Sequence, residues 1–396
     1  MDESIFIDLH NKAEDFGSIE RLVSESSKLR KKHSEESISL IKQSLEIGDI
    51  LNHEFEIISR ANKTMRDQHS AILNYCNVLD SNTARQKEIF GALKDNAFVS
   101  HDTLGQVEEM VRSLSDSLHK AIILLHMIIE NDNEIILMDN LIISRKKFQR
   151  DSIDRLKKLA FRTLEDAESA IRGSSSNLKR GLQLAEGLAG VERHLSDKNR
   201  EELSRLIGEA NTGWNIAAAV NRSSATQVLF AEQVGEFTAR LHEDSEAIRD
   251  LVVDKHGLFS RNRELARELT VILSLEIKDY LPAGELANKV CSETDLPAGI
   301  RRLADNLVSY AAIACRDILF VSNLNFDMTD SISLNADIEK KSVDLTRTEL
   351  EYFERIRQEV QSMTEATKYP IEGSERNIEN GKIIEGYLKK IMEGMG

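Results

Sequence analysis

Residues 102–143 read DTLGQVEEMVRSLSDSLHKAIILLHMIIENDNEIILMDNLII, and their spacing decides the fold. Leu104, Val107, Val111, Leu114, Leu118, Ala121, Leu125 and Ile128 follow one another in alternating steps of three and four. This is an a/d seam held over about four heptads, a period that no β-strand keeps. Ile153, Leu156, Ala160, Leu164, Ala167 and Ile171 carry the seam onward. Thr103 and Gln106 have the T-x-x-Q form of a capping box, which predicts a helix starting at about residue 104. The same spacing predicts that this helix runs to Ile171 and loosens at Gly173-Ser-Ser-Ser176.

Composition extends that reading to the rest of the chain. Among 396 residues there are only three prolines, so nearly every segment is free to be helix. Charged residues make up 30% and apolar residues 41%, which suits narrow apolar seams rather than a thick core. A formal net charge of −15 sets the surface against nucleic acid and anionic lipid. No run of about 18 uncharged apolar residues is present, which predicts no integral membrane segment. The most apolar piece, AIILLHMII at 121–129, is too short to span. The acidic start MDESIFIDLH lacks the basic lead of a signal peptide. Cys76, Cys291 and Cys315 are far apart and suggest neither a disulfide framework nor a zinc site, so a reducing cytoplasm is the expected home.

The breaks in period divide the chain. Residues 1–93 are expected to form N-terminal helices, with a possible interruption at Gly48, and 91–101 form a connector. Residues 94–281 are expected to form a long hairpin with its tip near residue 222, in Asn221-Arg-Ser-Ser-Ala-Thr226. Two Pro-Ala-Gly triplets, at 282–284 and 297–299, are expected to bracket a short separate helix. Residues 300–396 complete the chain with C-terminal helices, stopped at Pro370 and resumed over 377–393. Gly181, Gly187, Gly190, Gly208 and Gly213 allow close helix approach or bends, and the lone Trp214 is expected to fill a gap beside them. The fold class is therefore all-α: elongated antiparallel helices in a bundle or coiled coil. The seam is filled either by helices folded back from the same chain or by a second protomer, and a homo-oligomer is expected.

Catalytic signatures are scarce. G-x-S-x-G, P-loop and H-E-x-x-H patterns are absent, and the ten histidines form no metal-ligand spacing. No cofactor and no metal site are expected. One polar pair has geometry: Asp102 and Gln106 point within about 40° of each other on a helix, opposite the seam. D-x-x-x-Q on an exposed helix resembles the chemotaxis phosphatase family. The resemblance implies that Gln106 orients an attacking water and that Asp102 contacts a lysine of a phosphorylated response regulator. Here the middle residues read Thr-Leu-Gly, where the family prefers x-T-G.

The same residues resemble the second helix of a HAMP domain, which opens D-E-[IL]-G-Q-L. Asp102, Leu104, Gly105, Gln106, Val107, Val111, Leu114 and Leu118 match it in type, with Thr103 replacing the family's Glu. Downstream, IGEANTGWNIAAAVNRSSAT (207–226) and FAEQVGEFTARLHEDSEAIRDLV (230–252) resemble the tip and returning helix of chemoreceptor signalling hairpins. That resemblance implies a soluble bacterial signal-transduction protein of the chemotaxis type, relaying conformational signals through helices. It implies protein partners (a kinase, an adaptor or a response regulator), met through Ile216, Val220, Glu232 and Val234. A scaffold or adaptor whose seams serve only helix packing is the third reading, so relay, phosphatase and scaffold stand side by side.

Overall fold

The seam of residues 104–128 lies in the second of the four long helices among the described residues. A computed structural model of the chain describes residues 3–95, 99–193, 198–291 and 296–394. Its elements are α1 (Glu3–Lys94), α2 (His101–Arg193), α3 (Lys198–Cys291) and α4 (Ala298–Gly394). No strand occurs among the described residues. The protein is an all-α helical bundle. Its contacts fall into two units: Met1–Asp49, Lys147–Glu246 and Arg347–Gly396 form unit 1, and Ile50–Lys146 and Ala247–Thr346 form unit 2.

Within each unit, consecutive helices run antiparallel. In unit 1, Ser34 meets Thr163 while Glu20 meets Asn177, so α2 rises as α1 falls. Asn221 reaches Ile371, and Asn377 reaches Phe16, in the same opposed sense. In unit 2, Asn62 pairs with Asp139 and His69 with Asp132, while Lys255 pairs with Glu339 and Asn325 with Thr270. Helices α1 and α3 lie diagonally and run the same way: in unit 1 Phe16 lies against Gly213 and Arg30 against Ser224, and in unit 2 Phe55 lies against Lys255 and Gln86 against Tyr280. Each unit is therefore an up-down-up-down four-helix arrangement. The seam is filled from within one chain, because every helix turns its stripe toward three others.

Heptad positions explain the burial pattern. Leu104, Val107, Val111, Leu114 and Leu118 are at most 1% exposed. On α1 the same alternation of three and four continues through Leu51, Phe55, Ile58, Asn62, Met65, His69 and Ile72, all buried. Unit 2 holds one large apolar cluster, from Met65 and Ile135 through Phe259 and Ile332 onward. In unit 1 the apolar core comes in separate pieces, around Phe6 and Ile391, around Val23 and Val220, and around Ile41 and Phe353.

Several expected breaks are absent. Gly48, Gly173–Ser176 and Asn221–Thr226 all lie inside helices, so the tip near residue 222 is replaced by an unbroken α3. Ser174 donates back to the Ala170 carbonyl, the arrangement that keeps a serine inside a helix. The separate helix over 282–299 is also absent: Pro282 lies inside α3, which continues to Cys291. Pro282 is exposed, so the carbonyl that its missing N–H leaves unpaired can be met by water. Pro297 does act as a boundary, since its carbonyl accepts from Arg301 N (2.9 Å) as α4 begins. Pro370 lies inside α4, which runs through the expected stop. The connector of 91–101 falls where α1 passes to α2, with residues 96–98 outside the described residues. The cap of α2 differs from the expected box: Leu104 N donates to the Ser100 carbonyl (3.0 Å), and Ser100 Oγ lies 3.5 Å from Thr103 N. Ser100 starts the helix, one turn before Thr103 would.

Gly181, Gly187 and Gly213 serve close approach rather than bends, whereas a Cβ on Gly190 or Gly208 would meet nothing within 4 Å. A Cβ on Gly181 would stand 2.8 Å from the Gly17 Cα, whereas a Cβ on Gly17 would meet nothing closer than 3.9 Å. Gly181→Ala must therefore push backbone against backbone, at a cost of about 1–3 kcal/mol that outweighs the gain in helix propensity of about 1 kcal/mol. Gly17→Ala keeps only the gain. The two variants are expected to move the urea midpoint in opposite directions. Trp214 fluorescence can follow this, since the single tryptophan belongs to unit 1. Trp214 is half-buried, with Nε1 donating to Glu385 Oε2 (2.7 Å) and its Cβ over Gly381.

Candidate functional site: polar layers in the helical core

Heptad positions normally hold apolar side chains, yet here they also hold charges. Lys255, Asp139 and Glu339 are fully buried in unit 2. Lys255 Nζ donates to Asp139 Oδ1 (2.6 Å) and stands 2.7 Å from Glu339 Oε1. Asn62 Nδ2 donates to the other Asp139 oxygen (2.7 Å), and Asn335 Nδ2 donates to Asn62 Oδ1 (3.4 Å). The Phe55 ring lies 5.2 Å from Nζ and adds its negative face to the cation's surroundings. One cation faces two carboxylates, so the layer carries a surplus negative charge when both are ionised. Burial pushes Glu339 up to about 7, against the pull of Lys255, and no donor is aligned with either of its oxygens.

One heptad along, a second polar layer forms a chain. His69 Nδ1 lies 2.6 Å from Asp132 Oδ2, Asn262 Nδ2 donates to Asp132 Oδ1 (2.8 Å), and Asn131 donates to Asn262 Oδ1 (2.7 Å). Met65, Ile135, Phe259 and Ile332 lie between the two layers in the sequence register and keep the intervening core apolar.

Unit 1 has its own layers, and they divide its apolar core. Glu20 is fully buried, and its Oε1 accepts from Asn177 Nδ2 (3.0 Å) and Asn377 Nδ2 (2.9 Å). Its Oε2 has no donor, and the Oδ1 atoms of Asn177 and Asn377 are likewise without one. Burial pushes Glu20 up to about 7, outweighing the two amide bonds. Arg30, also fully buried, donates to Ser224 (3.2 Å), Gln227 (2.5 Å) and Ser27 (2.8 Å). Burial lowers its guanidinium to about 10, with Asp166 opposing that shift. Farther along, Gln149 donates to Ser245 across α2 and α3.

The residues singled out from sequence fall in different surroundings. Asp102 and Gln106 are both exposed on the first turns of α2, one turn apart. Gln106 lines a shallow groove of about 490 Å³ with Glu109, Met110, Ser113, Asp279 and Pro282, between α2 and α3 of unit 2. Val220 and Val234 are 2% and 1% exposed and belong to the core, so neither forms a surface for a partner. Ile216 is partly buried against the same core, and Glu232 alone of these four is exposed. Among the described residues, no group of three His, Cys, Asp or Glu side chains is placed to hold a metal ion. The polar layers were readable in principle: Asp132 and Asp139 continue the three-four alternation from Leu104, a register that counting apolar residues alone passes over.

No family model matches the chain, and no match is found among curated proteins or solved structures.

Proposed function

We propose that the chain is a helical signalling protein that relays changes in helix packing between protein partners. The observation that carries this is the interruption of the heptad core by fully buried polar and charged layers. An all-leucine seam is stable but tolerates shifted packings. Layers such as Lys255–Asp139–Glu339 add little net stability, because their desolvation cost offsets much of their attraction, yet they hold one register, so a shift that separates their members is a discrete change between two packings. The chemoreceptor resemblance supports a kinase or adaptor as partner in the cytoplasm of a bacterium. It needs a contact surface other than Val220 and Val234, with Glu232 as the exposed residue on that stretch. Hydrogen exchange of the full chain, with and without a purified chemotaxis kinase and its adaptor, tests the reading. Binding accompanied by altered protection around Lys255 or Glu20 is expected. A complex that leaves both layers unchanged would count against a relay and leave a scaffold.

The phosphatase alternative has one observation in its favour, the exposed Asp102 and Gln106 on one face of α2. The acidic side chains of Glu109 and Asp279 beside Gln106 oppose it, since a phosphoryl group would be repelled there. Loss of phosphate from a purified response regulator is therefore expected to proceed at the same rate with the wild type, with Gln106→Ala and without the protein. A Gln106-dependent acceleration would reverse the order of the two readings.

A further inference from the structure

The core seam is complete within one chain, but unit 2 presents a second apolar stripe on its outside. On α1, Ile57, Thr64, Ala71 and Val78 recur every seven residues, and on α4, Ile313, Phe320, Asp327 and Leu334 do the same. Both series lie on the flank where α1 and α4 meet. Tyr75 and Phe320 have ring centroids 5.1 Å apart, and Arg85 lies over the Tyr310 ring at 5.9 Å, which fixes the register. Large side chains here are open to solvent: Ile57 48%, Val78 52%, Phe320 49% and Leu334 62% exposed. Ala61, Gln68 and Asn82, on the α1 side of the flank, carry no charge. On the α4 side Asp317 is bound to Arg316 (2.8 Å), which leaves Asp327 as the exposed carboxylate. A chain that is 30% charged thus has a band about 30 Å long, at 1.5 Å per residue, whose charge is confined to Asp327 and to an edge of both signs, Arg60 and Asp67 on α1 and Arg316 and Asp330 on α4.

We propose that this α1–α4 face of unit 2 is where a second copy of the chain docks. Charge selects that occupant. Two copies, each of formal charge −15, repel over most of their surfaces and can approach only where the charge is missing. A two-fold contact also requires a patch complementary to itself, and this band offers its copy apolar side chains with one carboxylate, Asp327, from each. A stripe that repeats every seven residues accepts an identical stripe by helix-on-helix packing. The apolar side chains named expose on the order of 500 Å² per copy, which suits a reversible dimer rather than an obligate one. The relay reading is not needed for this contact.

Sedimentation of the full chain over about 1–200 µM tests the proposal. The wild type is expected to move from monomer to dimer in that range. Leu334→Glu and Val78→Glu, each at a position more than half exposed, are expected to weaken dimerisation at least tenfold while leaving circular dichroism and the urea midpoint unchanged. Leu137→Glu, which places a charge on an exposed residue of α2, is expected to leave the dimer intact. The proposal fails if the wild type stays monomeric throughout. It also fails if the two α1–α4 variants dimerise like the wild type, or if Leu137→Glu disrupts as strongly as they do. Flotation with neutral phosphatidylcholine vesicles covers the remaining occupant, because α4 contains one stretch apolar enough to cross a membrane, 33% of it buried. A monomer that floats with vesicles overturns the dimer in favour of a lipid surface.

Discussion

Lys255→Met is expected to lower the stability of unit 2 by about 3–5 kcal/mol at pH 8, the cost of leaving buried carboxylates without their cation. Lys255 is the only cation contacting Asp139 Oδ1 and Glu339 Oε1 among the described ion pairs. Methionine matches the length of the lysine stem, so little packing is lost and the effect is electrostatic. Glu339, already pushed up to about 7 beside the cation, should then hold its proton more firmly. The loss should therefore be smaller at pH 5 than at pH 8. Adding Asp139→Asn and Glu339→Gln removes the orphaned charges and is expected to recover most of the lost stability. Urea denaturation followed by far-ultraviolet circular dichroism reads all of this, because unit 2 contains no tryptophan. A single variant as stable as the wild type at pH 8 would show that the layer is not electrostatically coupled.

Glu20→Gln is expected to do the opposite and stabilise unit 1, by about 3 kcal/mol above pH 7.5. The folded state binds the Glu20 proton up to about pH 7, while an unfolded glutamate releases it near 4.5. A raised carboxyl pKa makes the folded state the better proton binder. Its contribution is thus fully present below pH 4.5 and is lost as the pH climbs through 7. Glutamine keeps the Oε1 acceptor for Asn177 and Asn377, and its amide can donate toward their unpaired Oδ1 atoms. The difference in stability between variant and wild type should therefore be near zero at pH 4.5 and grow up to pH 8. Trp214 fluorescence in unit 1 reports it, and a pH-independent difference would mean that Glu20 stays ionised in the fold.

Leu104 to Ile128 show how much of the fold could be read in advance. Their alternation of three and four fixes helix, seam and packing class, because only side chains at that spacing share one face of a helix. Gly48, Pro282 and Asn221–Thr226 show the limit. Each is a local signal for a break worth about 1–3 kcal/mol, and each lies within a helix whose neighbouring turns are buried. Burial of those turns exceeds the local cost, so tertiary packing overrides it. For the same reason Val220 and Val234 lie in the core: a heptad pattern cannot tell a partner's helix from the chain's own.

The amino-acid sequence by itself determined that this protein is all helix with heptad seams, and that Asp102 and Gln106 stand exposed together, because both depend only on angular spacing along one helix. Only the tertiary structure decided which helices face each other and therefore which charges meet. Lys255 finds Asp139 and Glu339, and Glu20 finds Asn177 and Asn377, across separations that no local pattern records. A buried charge is stable only beside its partner, so the polar layers take their chemistry from the register of four helices.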